Sequence, residues 1–100
     1  MSKTYKVVFN GCFGGFGLSP KAISRLKELG VQYDDDYEYN YMDRHDSLLV
    51  QVVEELGSEA SDKYSNLCIS TIDTPLYIID EYDGSESVKV PDDIGWIKIE

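Results

Sequence analysis

Basic side chains are scarce in this 100-residue chain. Nine lysines and arginines stand against nineteen aspartates and glutamates, a net charge of −10. That balance disfavours general nucleic-acid binding, because phosphate contacts need a basic face. Cysteine is scarce too. Cys12 and Cys68 make a poor disulfide framework for a secreted domain and read as free thiols in a reducing compartment. His45 is the single histidine, so there is no Cys/His set for zinc. The clusters Asp34-Asp35-Asp36 and Asp92-Asp93 lack the alternate spacing of a calcium loop, and no metal site is assigned. No apolar run approaches the roughly 20 residues that span a bilayer. The opening residues MSKTYKVVFN hold no signal-type apolar segment, so neither a membrane nor export is expected.

What is present is unevenly placed. Residues 1–30 carry five basic side chains against one acid, a net of +4, and residues 31–100 carry four against eighteen, a net of −14. The acidic part is read either as a solubility device or as a surface aimed at a basic partner, since large fields steer association. Apolar and charged fractions are ordinary for a folded domain, and 100 residues support one domain, 1–100, with one core.

Four of the eight glycines fall in one stretch, Asn10 to Leu18, NGCFGGFGL. Residues 4–9 before it read as a strand. After it comes a helix over 20–29, with Ser19 as N-cap, Pro20 at the first helical position and Gly30 as the stop. Leu18 and Ile23 stand at the spacing of a hydrophobic staple. In 31–42, Tyr37, Tyr39 and Tyr41 alternate with Glu38, Asn40 and Met42, a period of two that suits a strand. A second helix follows Asp46, with Leu48, Leu49, Val52, Val53 and Leu56 as its apolar face and Gly57 at its end. Strands are expected at 66–72, 76–82, 85–90 and 94–99. Asp83-Gly84 makes the hairpin turn and sets Tyr82 opposite Ser85 and Ile79 opposite Val88. The order predicts an α+β domain: a mainly antiparallel sheet of four to six strands with two helices packed on one face.

A strand, a glycine-rich loop and a helix N-terminus is an arrangement that binds phosphates through backbone N–H groups. Gly11, Cys12, Gly14, Gly15, Gly17 and Ser19, with Lys21 and Arg25 on the helix, are therefore the candidate ligand-binding residues, for a nucleotide or phosphate. The spacing G-x-x-G-G-x-G matches neither the P-loop nor a dinucleotide fingerprint. The plainer reading is a tight turn whose Phe13 and Phe16 plug the edge of the core. A thiol near a helix N-terminus becomes a nucleophile only beside a base, and nothing brings Cys12 to His45, so no catalytic residue and no cofactor is assigned. Tyr33, Asp35, Tyr37, Tyr39 and Tyr41 are the candidate partner-binding residues, because tyrosine gives large contact area at low entropy cost. A strand with one buried face explains the same alternation, and acid mixed with aromatic can also mimic a nucleic-acid backbone.

Three stretches, KVVFNGCFGGFGLS at 6–19, RHDSLLVQVVEELGSEAS at 44–61 and LYIIDEYDGSESV at 76–88, resemble a family of short proteins of bacteriophages, prophages and large DNA viruses. That family has no assigned activity. Its pattern runs N-x-C-F-G-G-F-G-L-S, then R-x-D-P-x-L with V-V-E-E-L-G, then E-Y-D-G-x-E. Ser47 stands where the family tends to have proline, and the tail from Pro91 looks like a separate ending. The resemblance implies a viral accessory protein acting in the host cell cytoplasm and carries over no catalytic residue. The expected function is a small acidic, non-enzymatic binding module with a protein partner and no direct contact to nucleic acid or membrane. Homo-oligomerisation is left open.

Overall fold

A computed structural model describes residues 4–90. It is a small α+β domain holding two two-stranded antiparallel sheets among the described residues, β1 (Tyr5–Asn10) with β2 (Leu67–Ile72), and β3 (Ile78–Tyr82) with β4 (Ser85–Lys89). The single sheet expected from sequence is thus divided, and the strand expected at 94–99 lies outside the described residues.

The two α-helices form where local chemistry satisfies their ends. α1 (Pro20–Glu28) begins with the Ser19 hydroxyl accepting from the Ala22 N–H at 3.1 Å. It ends in a Schellman motif, Gly30 N–H to Lys27 C=O and Val31 N–H to Leu26 C=O, with Gly30 at φ 99°. α2 (Ser47–Leu56) is capped by Asp46, whose carboxylate accepts from Leu48 and Leu49 N–H, a contribution of about 1 kcal/mol. At Gly57, φ 58°, the helix turns into a short 3-10 segment, Gly57–Ala60. The Ala60 carbonyl then accepts from Ser19 N–H, tying the end of α2 to the start of α1.

α2 lies against β1 and β2, while α1 packs on α2 and on the turn that follows it. Val8, Leu26, Tyr39, Leu49 and Val52 are wholly buried in the resulting core. Each such aliphatic side chain contributes about 1.5–3 kcal/mol on burial. Val7 is wholly buried as well, although alternation sends it to the other face of β1. β1 is therefore covered on both faces, with β4 lying against it.

The hairpin has the register read from its sequence, Tyr82 opposite Ser85 and Ile79 opposite Val88. Asp83 and Gly84 have φ of 53° and 90°, as a type I′ turn requires. Residues 33–42 correct the sequence reading. They contain no strand; Asp36–Tyr41 is a 3-10 helix whose N-cap Asp35 accepts from Tyr37 N–H at 3.0 Å. The helical turn separates Tyr39 from Tyr37 and Tyr41, which a strand would have placed on one face with it.

Candidate functional site

The glycine loop is closed by the chain itself. A Cβ added to Gly14 would stand 1.7 Å from the Tyr64 carbonyl oxygen, and one on Gly17 would stand 2.0 Å from the Asp62 carboxylate. A Cβ on Gly84, at the hairpin tip, would meet the Phe13 carbonyl at 2.3 Å. Gly14 and Gly84 serve close approach of backbone to backbone, from two directions, and Gly17 makes room for the Asp62 side chain. Gly11 N–H is taken by the Asn66 carbonyl, and Gly15 sits at φ 89°. Cys12 is half-buried and donates weakly to the Tyr64 carbonyl and the Asn10 side-chain oxygen. His45 lies elsewhere, bonded to Tyr77, so no Cys–His pair forms.

The helix that follows offers no free cation to the loop. Lys21 pairs with Glu59 at 2.9 Å, and Arg25 with Glu55 at 2.9 Å and Glu28 at 3.2 Å. The Ser19 hydroxyl donates to the Glu59 carbonyl. Of the two loop phenylalanines, Phe16 packs against the core with the Arg44 guanidinium 3.7 Å from its ring centre, whereas Phe13 is 69% exposed and plugs nothing.

Asn10 fastens this corner. Wholly buried, its amide donates to the Cys12 and Gly84 carbonyls, each at 2.7 Å, and accepts from Asn66 N–H at 2.8 Å. Its backbone N–H donates to Glu86, which also holds Arg44 through both terminal guanidinium nitrogens at 2.6 and 3.0 Å. The three stretches named in the sequence analysis thus meet at Asn10, Arg44 and Glu86. Their joint role is not legible in the sequence, because the contacts span 42 to 76 positions.

The tyrosine-rich segment is the opposite case: it is open. Tyr37 and Tyr41 are 63% and 70% exposed and meet edge-on, with hydroxyls 3.0 Å apart. Sharing that hydrogen bond with Tyr37 raises the pKa of Tyr41. Tyr33 is exposed along one side and stands edge-on to Tyr39. Tyr39 itself is fully buried, its hydroxyl donating to the Val31 carbonyl at 2.8 Å, and so it drops out of the surface it was assigned to. Asp36 is neutralised by Lys27 at 2.8 Å, and Asp35 is spent on its cap. The exposed carboxylates of Asp34 and Glu38 have no partner among the described residues.

One feature had no counterpart in the sequence reading. A mostly apolar cleft of about 270 Å³ opens where the start of β1 and the end of β2 meet the segment leading into β3. Tyr5, Ile72, Pro75 and Tyr77 give its apolar lining, and Lys6, His45 and Thr74 its polar groups. The Tyr77 hydroxyl lies 2.6 Å from His45 Nδ1, with the two rings edge-on. Burial, then the nearby Asp43 charge, pushes the Tyr77 phenol above its ordinary value.

Among the described residues, no group of three His, Cys, Asp or Glu could hold a metal ion, and no helix is long and apolar enough to cross a membrane. No family model, curated protein or solved structure matches the chain, so no activity comes to it from a relative.

Proposed function

We propose that this chain is a virus-encoded, non-enzymatic accessory module that engages a host or viral protein in the host cytoplasm through Tyr33, Tyr37 and Tyr41. The observation that carries this reading is the Tyr37–Tyr41 pair, two large rings held together by their hydroxyls and left open to solvent. A pre-ordered aromatic pair loses little side-chain freedom on docking, which is why such residues anchor interfaces. The exposed carboxylates of Asp34 and Glu38 beside them suit a partner with a basic face, such as a protein that itself binds nucleic acid. The glycine loop supports the reading from the other direction, because its backbone is filled by Tyr64, Asp62 and Gly84 and its cations are ion-paired.

The test is capture from host lysate by the wild-type chain and by a Tyr37→Ala, Tyr41→Ala variant of unchanged circular dichroism. Loss of two central anchors should weaken a specific partner by at least about 2 kcal/mol, roughly thirty-fold. A dominant protein retained only by the wild type is the expected result. Equal capture by both chains, or none by either, would sink the proposal.

A further inference from the structure

We propose that the cleft between His45, Tyr77 and the β1–β2 end is a binding site for a small, single-ring aromatic carboxylate. The inference does not rest on the tyrosine surface at 33–41, and each can fail without the other.

Size sets the first limit. At about 270 Å³ the cleft falls just below the roughly 300–1,000 Å³ of drug-sized sites, room for one ring and a substituent and not for a dinucleotide. Its lining sets the second. Tyr5, Tyr77 and the His45 ring, with Ile72 and Pro75, surround a ligand with aromatic and aliphatic surface, where a flat ring finds edge and face contacts.

The polar groups set the third, and they all offer protons. Thr74 accepts from Leu76 N–H at 3.2 Å, which leaves its own O–H to donate. Lys6 gives one N–H to Glu54 at 2.6 Å and has others. The Tyr77 hydroxyl and His45 Nδ1 share one hydrogen bond at 2.6 Å. Whichever of the two donates, a proton of the pair, on Nε2 or on the hydroxyl, is left over for a ligand. Among the described residues no carboxylate lines the cleft. On a chain of net charge −10, a concavity lined by proton donors, with its one cation shared with Glu54, complements a ligand with an anionic edge.

Amide spectra titrated with benzoate to about 10 mM, in enough salt to screen the protein's own field, test the proposal. Benzyl alcohol serves as the uncharged control. Saturable shifts confined to Lys6, His45, Ile72, Thr74 and Tyr77 are expected, weaker by about three-fold or more for benzyl alcohol. The partly or fully exposed His45→Gln and Thr74→Val substitutions should each weaken benzoate to a similar degree, with the spectrum itself reporting an intact fold. Absence of saturable shifts would overturn the site. Shifts centred elsewhere would overturn it too, and binding indifferent to both substitutions would overturn the mode of recognition.

Discussion

At Asn10 a single buried amide fastens three distant stretches of chain. Both its N–H groups and its oxygen are used, and no buried side-chain polar atom of the described residues is left without a partner. The neighbouring ion pair is the more exacting part. Glu86 and Arg44 side chains keep only 9% and 19% of their exposure, so each ion depends on the other and on Asn10 N–H for solvation. Breaking such a pair from one side leaves a stranded charge, which typically costs about 3 kcal/mol or more. Glu86→Gln, similar in shape, should therefore lower stability by about 3 kcal/mol in urea unfolding. Adding Arg44→Met should recover a large part of that loss, since the stranded cation is removed and the methionine can still cover Phe16. A double variant as unstable as the sum of the singles would show that shape, and not charge, holds the corner.

The elements differ in how far local sequence determined them. The Arg25–Glu55 pair staples α1 to α2, and the guanidinium, helped by Gln51, draws the Glu55 carboxyl below its ordinary value of 4.5. A depressed carboxylate contributes stability that is complete above its unfolded value and fades as pH falls through the lower folded one. Glu55→Gln should thus lower the melting temperature slightly at pH 7, and the difference from wild type should close below about pH 4. A gap that persists into acid would assign the effect to packing. Both helices were legible because caps are local: Ser19-Pro20, Asp46, Gly30 and Gly57 lie within a few positions of the groups they serve. The hairpin was legible for the same reason, Asp83-Gly84 being the turn itself. The segment 33–42 was not. Its tyrosine alternation has a strand's period, yet Tyr39 is drawn inward by the Val31 carbonyl and by contacts that periodicity does not encode. The candidate cleft was illegible for a plainer reason: His45 and Tyr77 are 32 positions apart and meet only once the sheet exists.

On the scale of the whole molecule, the charge asymmetry of the sequence is largely an internal exchange. Lys6, Lys21, Arg25 and Lys27, from the first thirty residues, pair with Glu54, Glu59, Glu55 and Asp36 from the rest. What that exchange cannot neutralise is the acidic excess, a net of −10 on a body with a radius of gyration of 14.6 Å. At about 10 mM salt the Debye length is roughly 30 Å, so charges interact across much of the molecule; at about 0.5 M it shrinks to roughly 4 Å, and only contact pairs still interact. The paired cations are mostly well exposed, where ion pairs contribute little, whereas the repulsion is summed over the whole surface. Salt should therefore stabilise this protein, raising the melting temperature by a few degrees between those two concentrations. The rise should be larger for chloride salts added at pH 7 than at pH 4, where protonation has already reduced the excess. A melting temperature that falls as salt is added at pH 7 would mean that these four ion pairs outweigh the field they sit in. In that case the contact pairs, and not the acidic excess, would set how the protein's stability responds to salt.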